Sequence, residues 1–128
     1  PGAWRLVMIG LGRARAALNA AIAERARAMV ARGMMKEVER LLRAGHDPDR
    51  PPMDGIGYRQ LALAARGRMA MEEARRLMVR DTTRYAKRQM TWFQRERDIR
   101  WLDVDGSGGV EGTAEAILKH ITREGLIE

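Results

Sequence analysis

No cysteine occurs among the 128 residues. Disulfides, cysteine-ligated zinc and thiol nucleophiles are therefore excluded. The absence fits a reducing cytosol without proving it, since exported proteins also lack cysteine. No apolar run approaches the roughly 20 residues that a membrane-spanning helix needs; the expected partners include no membrane. The first residues, Pro1-Gly2-Ala3-Trp4-Arg5, lack the charged-then-apolar order of a signal peptide. Nothing in the pattern pairs the two histidines, His46 and His120, as a metal or catalytic site. No Ser/His/Asp constellation stands out, and Asp103 and Asp105 read as a solvated turn rather than as metal ligands. The G-x-x-x-x-G-K-[ST] phosphate loop is also missing from the chain.

Two further absences bear on completeness. The chain has no initiator Met, and an apolar run, Leu6-Val7-Met8-Ile9-Gly10-Leu11, begins almost at once. That run reads as a strand buried on both faces. Only one other good strand candidate follows, Ile99-Arg100-Trp101-Leu102-Asp103-Val104. Two short strands do not make a stable sheet alone. The expectation is a piece of a larger parallel sheet, with the other strands upstream of Pro1.

What is present fits a folded domain. Apolar residues make up 45% and charged residues 32%, unlike a disordered chain. With 24 Lys and Arg against 17 Asp and Glu, the net charge is +7. That surplus by itself suggests a polyanionic partner, either nucleic acid or an anionic membrane surface. A basic protein from an Arg- and Ala-rich proteome would look similar.

The expected architecture is mostly α-helical. A first helix starts near Arg13 and reaches Gly33, with Leu18, Ile22, Met29 and Val30 at helical spacing. A second carries Met34, Val38, Leu41 and Leu42 and stops at Gly45. The stretch from His46 to Gly55 holds three of the four prolines and reads as a surface loop. A short helix opens at Ile56 and ends at Gly67. A long helix runs from about Met69 to about Arg95. Its apolar stripe is Met71, Ala74, Met78, Tyr85 and Trp92, with Asp81 and Arg88 filling the gaps. A turn at Asp105 to Gly109 precedes a last helix, with Thr113 as the expected N-cap.

Three features carry chemistry. The long helix has a second stripe, Arg76, Arg80, Arg84 and Arg88, flanked by Lys87 and Arg95. Like charges four apart weaken an isolated helix, a cost that bound phosphates would offset. Glu72, Glu73 and Asp81 sit toward the N-terminal end, so Arg84 to Arg88 read as uncompensated. Near the helix end, cations meet rings, a mixture that suits unstacked RNA bases. Tyr85 and Trp92 read first as core residues of the stripe, which leaves Lys87, Arg88 and Gln89 as the better contact candidates. Second, Arg25 interrupts the face formed by Leu18, Ile22 and Met29. An unpaired buried guanidinium is costly, so it must reach solvent or an anion. An internal salt bridge or a snorkelling stem satisfies it as well as a substrate phosphate does. Third, Gly55 and Gly57 precede a helix, where free amides can meet an anion. Many ordinary helix starts share that pattern.

In order, these residues resemble a known family. The sequence runs from a strand to Arg25, Met29, Gly33, Glu37-Val38 and Leu41. Then come Gly57-Tyr58-Arg59-Gln60, Thr82, Tyr85-Ala86-Lys87-Arg88-Gln89, Thr91-Trp92 and Trp101-Leu102. This resembles the C-terminal part of the tRNA dimethylallyltransferases, over about Leu6 to Val104. The resemblance implies a P-loop-related α/β enzyme. Such an enzyme moves a dimethylallyl group from its pyrophosphate to N6 of the adenosine 3′ of the anticodon, with the base flipped out. It implies that Arg25 binds the departing pyrophosphate. It also implies tRNA contact by Asp54, Gly55, Ile56, Gly57, Tyr58 and Arg59. The same holds for Lys87, Arg88, Gln89, Met90, Thr91, Trp92, Phe93 and Gln94. Thr83 stands where the family usually has arginine, Gln94 replaces a common arginine, and Asp54 stands where a basic residue is sometimes found. Residues 1–128 would then be the C-terminal part of the catalytic domain, inactive alone. The resemblance further implies Mg2+ with ligands outside this stretch, a cytoplasmic location and a monomer. The rival readings are a non-catalytic basic RNA-binding module and a purely structural helical domain.

Overall fold

The computed structural model describes residues 6–126. The chain order is β1 (Met8–Gly12), α1 (Arg15–Ala31), α2 (Met34–Arg43), α3 (Tyr58–Ala65), α4 (Met71–Phe93), β2 (Ile99–Asp103) and α5 (Gly109–Arg123). The mostly helical α/β expectation holds. Gly33, Gly45 and Gly67 take the left-handed conformations that end α1, α2 and α3. The prolines keep the segment between α2 and α3 free of helix, as expected.

The two strands pair in parallel, with Met8 opposite Ile99 and Gly12 opposite Asp103. A parallel pair needs a long crossover, which residues 13–98 provide. Gly10 lies opposite Trp101. A Cβ on Gly10 would lie 2.6 Å from the Trp101 ring and 2.7 Å from Ile99 Cγ2, so only glycine fits this position. The strand expected to be buried on both faces is not. Leu6 is 77% exposed and lies outside β1, and Leu11 is 55% exposed. A strand is covered on both faces only when helices flank its sheet on both sides, and the described residues do not cover Leu11.

The chain divides into two compact units. One comprises residues 1–18 and 89–128, the other residues 19–88. In the first unit, α5 begins at Gly109, earlier than expected. Thr113 is not its cap: the hydroxyl donates back to the Gly109 carbonyl at 2.6 Å. Four residues into a helix, that back-bond is the available partner for a buried threonine. Gly108, in the left-handed conformation, makes the turn instead.

The second unit holds the core. Ala26 of α1, Met34 and Val38 of α2, Met53 of the loop, Leu61 and Ala62 of α3, and Ala74 and Met78 of α4 are buried together. The small alanines allow close helix approach, and the flexible methionines fill the gaps that remain. Val38 and Leu61 are fully buried. Met53 pins the proline-rich loop to this core.

Candidate nucleic-acid interface

The basic row of α4 is two different surfaces. In its first part each arginine has an acid. Arg76 makes two hydrogen bonds to Glu73, at 2.7 and 2.6 Å. Arg75 pairs with Glu72, and Arg80 donates to Asp81 at 2.8 Å. The Arg76 bond is the first cause of a lowered Glu73 carboxyl pKa, and the same bond raises Arg76. In its second part neither Arg84 nor Arg88 has an ion pair among the described residues, although the Arg84 charge still acts on Asp81 and helps lower its carboxyl pKa. The Arg88 guanidinium lies 5.7 Å from the centroid of the Tyr85 ring, within cation–π reach. The expected lack of compensation from Arg84 to Arg88 is met only in part: Arg88 has no ion pair among the described residues, but Arg84 acts on Asp81 and Lys87 makes an interaction within the protein.

The rings depart from expectation. Tyr85 is 48% exposed and Trp92 59%, so neither is a core residue. The apolar stripe is buried only at Ala74 and Met78. Helical spacing selects a face, but burial needs an element packed against it, and the core contacts stop near Val79. Trp92 meets Phe93 edge to face, with ring centres 4.8 Å apart. Lys87, Arg88, Gln89, Thr91, Trp92, Phe93 and Gln94 are exposed, and Met90 is half-buried. Lys87 and Thr91 each also make an interaction within the protein.

Three amides of the glycine turn are engaged within the protein. The Gly57 N–H donates to Gln60 Oε1 at 2.7 Å, the Gly55 N–H to the Pro52 carbonyl and the Arg59 N–H to the Gly55 carbonyl. What the turn presents is side chains: Asp54, Ile56 and Arg59 are at least partly exposed, while Gly57 is buried. Gly57 has φ +98°, and a Cβ there would lie 2.9 Å from Met34 Cε. Both facts require glycine. Tyr58 donates its hydroxyl to Glu37 Oε1 at 2.8 Å. That bond, then burial and the carboxylate charge, raises the Tyr58 pKa. A cleft of about 220 Å³ lies here, lined by Met29, Arg32, Gly33, Met34, Glu37 and Tyr58.

Arg25 is exposed on α1 and has no ion pair among the described residues. The internal salt bridge read as one option is absent; the nearby Glu24 pairs with Arg27 at 3.1 Å instead. The guanidinium reaches solvent and remains available to an anion. Asp105 is a turn residue, as expected, and it pairs with Arg13 at 3.0 Å. Sequence reasoning missed Gln60 and Asp81 as partners. Gln60 Nε2 donates to Asp81 Oδ2 at 2.9 Å, and the only sequence signal was the gap in the stripe at Asp81.

An α/β domain with parallel strands and a basic helix bearing exposed rings is the class these features define. The chain belongs to the IPP transferase family, whose model matches residues 1–96. It is 43% identical over 118 residues to a tRNA dimethylallyltransferase of Desulforudis audaxviator, covering 92% of this chain and 38% of that protein. It is 39% identical over 121 residues to one of Thermomicrobium roseum, covering 94% and 37%. The fold matches the tRNA delta(2)-isopentenylpyrophosphate transferase of Staphylococcus epidermidis with a TM-score of 0.83 at 28% identity, over 91% of this chain and 38% of that one. The chain thus spans under two-fifths of the length of these relatives.

Proposed function

We propose that this chain is part of a tRNA-modifying prenyltransferase, its residues 1–128 forming the C-terminal part of the catalytic domain. The substrates are dimethylallyl pyrophosphate and the anticodon stem-loop of tRNA. In the reaction, N6 of the adenosine 3′ of the anticodon bonds to the allylic carbon. The carbon–oxygen bond to pyrophosphate breaks, the electron pair leaves with the pyrophosphate, and N6 loses a proton. The observation that carries this reading is the likeness to proteins named tRNA dimethylallyltransferases over more than nine-tenths of the chain.

The geometry supports the division of labour. Arg25 is exposed and without an acidic partner among the described residues, as an arginine kept for an anion should be. Its planar fork would take up charge developing on the leaving pyrophosphate. Arg88 and the residues to Gln94 would meet phosphates and an unstacked base. Asp54, Ile56, Tyr58 and Arg59, held by Gly55 and Gly57, form the second tRNA-facing segment. Mg2+ would neutralise pyrophosphate charge when bound. Its ligands are proposed to lie outside the described residues. No helix among the described residues is long and apolar enough to cross a membrane. A monomeric enzyme in the cytoplasm, where tRNA resides, completes the proposal.

The test is Arg25→Ala in the full-length enzyme. Turnover should fall on the order of a hundredfold, the loss typical of one transition-state donor. Affinity for the stem-loop should stay within about threefold, because an interaction made only in the transition state leaves ground-state binding alone. Equal losses in both, or none, would remove Arg25 from the role.

A further inference from the structure

Two polar side chains are buried among the described residues, Gln60 and Thr113. Thr113 bonds only within its own helix. Gln60 does more, because each end of its amide is engaged. Oε1 accepts the Gly57 N–H at 2.7 Å, and Nε2 donates to Asp81 Oδ2 at 2.9 Å. Asp81 Oδ1 in turn accepts from Arg80 Nε at 2.8 Å.

The chemistry fixes the orientation. A backbone N–H only donates and an ionised carboxylate only accepts. The Gln60 amide therefore cannot turn over without losing both bonds. The bond to Gly57 is also the returning half of a capping box whose other half is missing, because glycine has no side chain to cap the helix. The start of α3 is thus held from within, by a residue whose far end is anchored on α4, 21 positions along the chain. Asp81 sits where the apolar stripe of α4 has its gap. Apolar residues at both positions would serve stability about as well, so packing alone does not explain the choice.

We infer that Gln60 and Asp81 are positioning residues that fix the Gly55–Gly57 turn to α4 so that Ile56 and Arg59 meet the RNA substrate. The inference rests on the proposed function, since it concerns how the tRNA-facing turn is held. The buried amide sets the turn's place on α3, and the carboxylate sets where α3 begins relative to the middle of α4.

A charge exchange tests this in the full-length enzyme. In Gln60→Glu the new carboxylate still accepts from Gly57 but faces the Asp81 carboxylate. KM for the anticodon stem-loop should rise on the order of tenfold, the size a lost buried partner produces, while kcat holds within about twofold. Adding Asp81→Asn restores a donor opposite the introduced carboxylate. KM should then return to within about twofold of the parent value, the signature of a coupled pair. A merely structural role would lower the fraction of folded enzyme, which cuts apparent kcat and leaves KM unchanged. Unchanged KM in Gln60→Glu, or no rescue in the double variant, overturns the inference. If Gln60→Glu does not fold, Asp81→Ala, which keeps the Gly57 bond and cuts the anchor, should raise KM alone, and unchanged KM there also overturns it. A parent enzyme that does not bind the stem-loop would instead sink the proposed function itself.

Discussion

The two halves of α4 that lie within residues 19–88 carry the same arginines at the same spacing and do different things. From Met71 to Arg80, each arginine of the exposed face has a carboxylate beside it, and Ala74 and Met78 are buried beneath. From Asp81 to Arg88, neither Arg84 nor Arg88 has an ion pair among the described residues, and Tyr85 is open to solvent under the Arg88 guanidinium. The first half packs on the core, and the second presents arginines without ion pairs beside an exposed ring. A four-residue repeat of one charge says little by itself. The acids one turn away decide whether it is a solvated face or a binding face.

Stability should separate the two kinds of position most sharply. Leu61→Ala removes a fully buried side chain from the core that packs on the first half. It should cost about 2–5 kcal/mol in denaturant unfolding. Tyr85→Ala, in the second half, should stay within about 0.5 kcal/mol. Comparable losses would mean that the ring is structural after all. The next effect is on RNA. Trp92→Ala should weaken stem-loop binding by about 1–3 kcal/mol, the range for one stacked base, with an unchanged melting temperature. A loss of melting temperature with unchanged affinity would count against the exposed ring as an RNA contact.

Smaller effects sharpen the comparison from the other side. Glu73→Gln should release Arg76 from its doubly hydrogen-bonded partner. The first half would then resemble the second, and the salt slope of RNA binding should steepen slightly in a titration. No change would show that the pairing does not mask the arginine. The smallest effect lies at the boundary. The Arg80 hydrogen bond, opposed by burial and aided by Gln60 and the Arg80 and Arg84 charges, holds the Asp81 pKa below its ordinary value. A lowered folded value stabilises the fold above the unfolded value, near pH 4. That contribution is lost as pH falls through the folded value. The advantage of the parent over Asp81→Asn should be flat from neutral to about pH 5 and shrink below about pH 4. A constant difference down to lower pH would contradict the charge at Asp81.

Much of the fold was legible because glycine and proline punctuate it. Gly33, Gly45 and Gly67 bound helices whose ends lie within two or three residues of expectation. The two strands were legible as the two strand candidates, Leu6 to Leu11 and Ile99 to Val104. Cover was not legible. Spacing placed Tyr85 and Trp92 on the apolar stripe, but only packing shows that nothing described buries them. Local pattern also could not show where hydrogen bonds go. Gly57 has its amide taken by Gln60, and Thr113 bonds backward instead of capping. The site fared in the same way. The absence of ion pairs at Arg84 and Arg88 followed from the positions of the acids, whereas the Gln60–Asp81 bond joins residues 21 apart and left only a gap in a stripe.

On the proposed function, the second half of α4, and not the first, would meet tRNA phosphates. The direct measurement is the salt dependence of anticodon stem-loop binding to the full-length enzyme, for two double variants. Arg84→Ala with Arg88→Ala should flatten the log–log slope by about two, one phosphate for each arginine. Arg75→Ala with Arg76→Ala should leave the slope nearly unchanged. Equal slopes for the two double variants, or a larger change from the Arg75 and Arg76 pair, would contradict the account.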